Sequence, residues 1–133
     1  MDENLFKKRT KLLALRFIKI VDALPKNRTA DVIGRQLIRS GTSVGANYRA
    51  ACRGKSTADV IAKLRIVEEE ADESAYWMEL LIESGLLVEA RVSELLQETN
   101  EIIAMTVASI RTLQKRNGGS VFNRQSKIEN LKS

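Results

Sequence analysis

The chain has 133 residues, 44% of them hydrophobic and 29% charged, with a net charge of +5. That is enough for one buried core and excludes both a two-domain protein and a disordered polyelectrolyte. It contains no histidine and a single cysteine, Cys52, which excludes histidine-dependent catalysis, His-ligated metal sites and an internal disulfide.

One proline and seven glycines leave long stretches of Leu, Ala, Glu, Arg and Lys, all strong helix formers. The first helix is expected over residues 2–24, stopped by Pro25. Its core stripe at helical period is Phe6, Leu13, Phe17, Ile20, Val21 and Leu24. Leu5, Leu12 and Leu15 lie well round the cylinder, a second apolar strip suited to contact with another chain.

The second helix is expected over residues 29–53, with Thr29 as N-cap and Asp31 favourable at its positive end. Ile33, Leu37, Ser40, Val44, Asn47 and Ala51 form its core stripe. Small residues crowd its middle, so the reading is a continuous helix with a kink near Gly41, a break there being the alternative. Asn47 on the core stripe reads as a structural polar residue fixing register through a hydrogen bond.

Ser56 caps a third helix over residues 56–84, closed by Gly85. Its core stripe is Val60, Leu64, Val67, Ala71, Ala75, Met78 and Ile82. A fourth helix over residues 89–117 presents Val92, Leu95, Thr99, Ile102, Thr106 and Ile110 on one face and is expected to end at Gly118 and Gly119. Residues 118–133 read as a polar, mobile tail in which Ile128 and Leu131 could dock. Helices of this length on short corners pack antiparallel as neighbours, so the fold class is all-α, an up-down-up-down four-helix bundle over residues 1–117.

Charge is unevenly spread. Residues 1–28 hold eight Lys/Arg against three Asp/Glu, and residues 29–55 five against one; residues 56–88 hold two against eight. Arg35, Arg39, Arg49 and Arg53 project opposite the second helix's core stripe, and Lys8 and Lys11 lie among the many cations of the first. This set reads as a surface that holds phosphates by charge without reading sequence. The competing reading pairs the arginines with the acidic third helix, within or between chains.

On the third helix Ile66, Glu70, Glu73, Trp77 and Leu80 share a strip distinct from the core. Carboxylates flanked by Ile and Trp, with Leu12 and Leu15 on the first helix, mark an oligomer interface in which arginines meet the acids. The acidic run Glu68, Glu69, Glu70, Asp72 and Glu73 reads as a solvated or paired face rather than a metal site. No catalytic residue, metal or cofactor is expected, and the chain reads as a non-enzyme. No segment has the apolar length of a membrane span, and the lone cysteine suits a reducing cytoplasm.

Gln36, the Ser43-Val44-x-x-Asn47 stretch, the EEEADES run from Glu68 and the Tyr76-Trp77 pair, with the preceding LALRFIKIVDALP, resemble the four-helix bundle family of the large-subunit ribosomal RNA intervening-sequence proteins over roughly residues 5–117. Many relatives follow the Asn with Ala-Glu-Gly, whereas here Asn47 leads into Tyr48-Arg49-Ala50-Ala51. The resemblance implies an up-down bundle without enzymatic activity, commonly assembled as a ring-shaped homopentamer. Related bundles are accessory proteins of diversity-generating retroelements, which implies RNA or DNA and a reverse transcriptase as partners.

Overall fold

The computed structural model describes the backbone of residues 2–126 and the side chains of residues 2–116. Four helices follow in order: α1 (Glu3–Asp22), α2 (Arg28–Cys52), α3 (Thr57–Glu83) and α4 (Glu89–Ser126). Each packs antiparallel on its chain neighbour, and α4 returns to α1 along a thinner seam, closing an up-down-up-down bundle. α1 and α3 occupy diagonal corners, as do α2 and α4.

The helix ends follow local chemistry. Asp2 caps α1 by accepting from the Leu5 N–H, and Ser56 caps α3 by accepting from the Asp59 N–H at 3.0 Å. The α2 cap is Asn27 rather than Thr29: its extended backbone lets Oδ1 accept from the Ala30 N–H at 2.8 Å, which places Thr29 already inside the first turn. α3 closes in a Schellman arrangement, with the Leu86 N–H donating to the Leu81 carbonyl and the Gly85 N–H to the Ile82 carbonyl. Gly85 takes φ +81°, the left-handed conformation that this closure needs.

The second helix is continuous as expected, whereas the end of the fourth changes. α2 runs unbroken from Arg28 to Cys52 through Gly41. α4 does not stop at Gly118 and Gly119 but continues to Ser126. Glycine costs a helix about 1 kcal/mol relative to alanine without forbidding it, and no proline follows. The expected polar tail is therefore helical in backbone over residues 118–126, while residues 127–133, including Ile128 and Leu131, lie outside the described residues.

The core is built from the expected stripes. Phe6, Leu13, Phe17, Leu37, Val44, Leu64, Val67, Ala71, Met78, Leu95, Ile102 and Ile110 are all buried. Tyr48 joins them, its ring centroid 4.6 Å from that of Phe6 in an edge-on arrangement. Where small residues meet, the helices approach closely: Phe17 lies over Gly41, and Thr10 over Gly45. Asn47 is only half-buried, and its Nδ2 donates to the Ser43 carbonyl within α2 at 2.8 Å. The buried polar link between helices is instead Ser40 to Ser74, with hydroxyl oxygens 2.8 Å apart.

The α1–α4 seam is held by charge. Arg9 grips Glu98 through both Nε (3.0 Å) and Nη2 (2.6 Å) and reaches Glu101 at 3.2 Å. The hydrogen bond to Glu98 pushes the Arg9 pKa further up, so this guanidinium is committed to the fold.

Candidate nucleic-acid interface

The small residues of α2 do more than let helices approach. Opposite Ala14 of α1, the sequence Thr42, Gly45, Ala46 gives α2 no bulk on its outer α1-facing side. An open groove of about 640 Å³ results. Thr10 and Gly45 lie at its base, a Cβ on Gly45 standing 3.3 Å from Thr10 Oγ1. Cations line both walls: Lys7, Lys8 and Lys11 on α1, and Arg49 on α2.

The helical period explains why three lysines from one helix meet at one groove. Residues 7, 8 and 11 fall one to four positions apart, so they fan over roughly 100° of α1 and hang over the same edge. Lys8, Lys11 and Arg49 are exposed and have no ion-pair partner among the described residues. Lys7 is half-exposed and its Nζ sits 3.3 Å from Glu3 Oε1, an i,i+4 pair that water and salt screen readily. Arg53, exposed, stands one turn beyond Arg49.

Of the residues singled out for phosphate contact, the fold therefore gathers Lys8, Lys11 and Arg49 at one groove, with Arg53 beside it. Arg35 is elsewhere. It lies fourteen residues before Arg49, about 21 Å along the axis, at the α1–α2 corner, where its Nε donates to Asp31 Oδ2 at 3.1 Å. Arg39 turns the other way, onto α3, where Nη1 approaches Glu70 Oε1 at 3.3 Å and Nη2 pairs with Glu73. Arg39 is thus engaged within the chain in this structure, as the competing reading of the arginines had it.

That pairing organises the α3 strip. Trp77 Nε1 donates to Glu73 Oε2 at 2.9 Å, and Trp77 packs partly against the core. The indole hydrogen bond, with Arg39 beside it, holds the Glu73 carboxyl below its ordinary range. Glu70, Trp77 and Leu80 are half-buried against their own bundle, while Ile66 is 37% exposed; Leu12 and Leu15 on α1 are 55% and 52% exposed.

Among the described residues no aromatic side chain lines the α1–α2 groove. A polyanion lying there would meet ammonium and guanidinium groups on the two rims and a neutral, small-residue base. Such a trough can hold a phosphate backbone without stacking or reading bases. A second open cleft, of about 650 Å³, lies at the other side of the α2 C-terminus, lined by Tyr48, Ala51, Cys52, Val60, Leu64 and Met105 among others. Among the described residues no group of three or more His, Cys, Asp or Glu side chains is arranged to hold a metal ion, and no helix is long and apolar enough to cross a membrane.

An all-α four-helix bundle with a cation-lined groove between its first two helices is the class that fold and groove define. The chain belongs to the family of 23S rRNA-intervening sequence proteins, whose family model matches residues 2–108. It is similar in structure to a Bacteroides thetaiotaomicron protein with unknown function from the S23 ribosomal protein family, at 33% identity and a TM-score of 0.77, covering 84% of this chain and 99% of that one. A comparison with curated proteins found no match.

Proposed function

We infer that the protein is a non-enzymatic, homo-oligomeric nucleic-acid-binding bundle that holds the backbone of RNA or DNA along the α1–α2 groove. The observation that supports this reading is the convergence of Lys8, Lys11 and Arg49, from two different helices, on one open groove with no acidic partner among the described residues. Lys7 and Arg53 extend the cationic track. Its chemistry is phosphate neutralisation, so binding is expected to be independent of sequence and strongly dependent on salt. The assembly proposed is a homopentamer, in a cytoplasmic setting that suits the single cysteine.

The experiment is fluorescence anisotropy with a labelled 20-nucleotide RNA and its DNA counterpart at low salt. The Lys8→Glu, Lys11→Glu, Arg49→Glu triple variant should lose binding by at least tenfold. Arg39→Gln, which removes a charge already engaged by Glu70 and Glu73, should retain most of it. Absence of binding by the unaltered protein at low salt would end the proposal.

A second reading, an adaptor oligomer that docks a protein partner such as a reverse transcriptase, is favoured by one observation. Leu5, Leu12 and Leu15 stand half-exposed in a row on α1, more apolar surface than a free helix face needs. In that reading the free arginines serve contacts between subunits, and the triple variant would change the assembly's mass.

A further inference from the structure

The cations of the α1–α2 groove stand one after another along it. Two contacts fix the register of the helices: Thr10 lies against Gly45, and the Phe6 ring against that of Tyr48. Lys8 stands between those two levels, Lys11 one residue beyond the first and Arg49 one residue beyond the second. Arg53 follows one turn further along α2. With the rise of a helix, Lys11, Lys8, Arg49 and Arg53 form a single file about 15 Å long. The acids at that end of α1 are engaged, since Asp2 caps the helix and Glu3 pairs with Lys7.

The file runs along a trough rather than a flat face. Packed helices stand about 8–10 Å apart axis to axis. Among the described residues nothing bulkier than threonine separates the two rims, Asn4 at one end excepted. The floor has nothing to offer a base. The Thr10 and Thr42 hydroxyls donate to the Phe6 and Ile38 carbonyls of their own helices, and a stacking ring is lacking among the described lining residues. A nucleotide gains there through its phosphate alone.

We propose that the groove takes a single strand laid backbone-inward, its phosphates in file on Lys11, Lys8, Arg49 and Arg53 and its bases turned to solvent, in preference to a duplex. This deepens the proposed function and rests on it, naming the form of nucleic acid that the groove selects. The reason is shape. An unpaired strand bends into a trough between two helices. A duplex is a stiff convex cylinder whose phosphate rows curve away across grooves of about 6 and 12 Å, so it rests on the rims and meets fewer of the cations. Charge alone argues the other way. The duplex is the denser polyanion, with a salt slope of about 0.9 per neutralised phosphate against about 0.7 for a single strand. A surface acting by charge only would favour the duplex, so the sign of the preference separates the two.

The test compares three labelled probes on the full chain by fluorescence anisotropy at one low salt concentration. They are an unstructured 20-nucleotide RNA, the same strand annealed to its complement, and an abasic strand of equal length that keeps only sugar and phosphate. The single strand should bind severalfold more tightly than the duplex, and the abasic strand as tightly as the base-bearing one. Ala46, exposed on the groove wall, allows bulk to be added without touching charge or core. Ala46→Leu, with leucine a strong helix former and the fold verified by circular dichroism, should weaken single-strand binding severalfold and leave the duplex unchanged. Ala46→Ser, close to alanine in size, should bind as the unaltered protein does. A duplex held as tightly as the single strand, an abasic strand held severalfold more weakly, or a filled groove that binds single strand unchanged would each overturn the proposal. Should Ala46→Leu misfold, the duplex and abasic arms on the unaltered protein decide. Failure of all three probes to bind would instead overturn the nucleic-acid reading beneath it.

Discussion

The Phe17 ring fills the space beside Gly41 in which any other residue would place its Cβ, and Phe17 itself is fully buried. This relationship explains a glycine in mid-helix, where alanine would otherwise be better by about 1 kcal/mol.

Gly41→Ala should therefore destabilise the bundle. Overpacking a core typically costs about 1–3 kcal/mol, more than the helix propensity that alanine returns, so the melting temperature should fall by several degrees. Gly45→Ala is the control. Its new methyl would stand 3.3–3.5 Å from Thr10, a contact that a small shift relieves, and the variant should be neutral or slightly more stable. Thermal denaturation of the pair measures the difference.

Ser40 and Ser74 are both fully buried and hydrogen-bonded to each other across α2 and α3. Replacing either alone by alanine removes the bond between the helices but leaves the other hydroxyl a carbonyl of its own helix, Leu37 for Ser40 and Glu70 for Ser74, so each should cost about 0.5–1.5 kcal/mol. The double alanine variant should cost less than the sum of the two. A urea-denaturation cycle giving a coupling of about 0.5–1 kcal/mol is expected; strict additivity would show that the contact carries nothing.

The fold was legible because apolar residues recur at helical period in all four segments, and the fourth stripe, from Val92 to Ile110, sits as the periodicity predicts. Tyr48 belongs to the α2 stripe by period, four residues after Val44 and three before Ala51, and taking Asn47 into the stripe passed it over; its ring meets Phe6 across the α1–α2 seam. The site was half legible. Arg39 and Arg49 share the outer side of α2, yet ten residues of helix leave them about 80° apart, and one leans to α3 while the other leans to α1. One helix's period orders its residues around a cylinder but does not state which neighbour stands on which side. The groove itself depends on Gly45, Ala46 and Ala14 being small together, a property of two helices that neither shows alone.

Acid should loosen the α2–α3 contact in a defined window. Hydrogen bonding from Trp77, with Arg39 nearby, depresses the Glu73 pKa in the folded state from its ordinary 4.5. The fold thus gains from ionised Glu73 above that ordinary value and loses the gain as pH falls through the depressed one. Glu73→Gln should be less stable than the unaltered protein at pH 7, and the gap should close below about pH 4.5. Trp77 emission followed through urea denaturation at a series of pH values reads it directly.

Cys52 is half-buried beside Tyr48, and burial pushes its thiol pKa up. Less thiolate at a given pH means slower reaction with a disulfide reagent. At pH 8 the folded protein should react with Ellman's reagent several times more slowly than the urea-unfolded chain; equal rates would place the thiol in open solvent.

The central claim is that the α1–α2 groove neutralises a phosphate backbone, and the salt slope of RNA affinity tests it most directly. The logarithm of the association constant should fall linearly with the logarithm of salt concentration, with a slope of about −2 to −4 for a single strand meeting three to five cations. Arg49→Gln should make that slope shallower by roughly 0.7, the value of one lost phosphate contact, whereas Arg39→Gln should leave it unchanged. A slope near zero, or equal slopes for Arg49→Gln and the unaltered protein, would contradict the account.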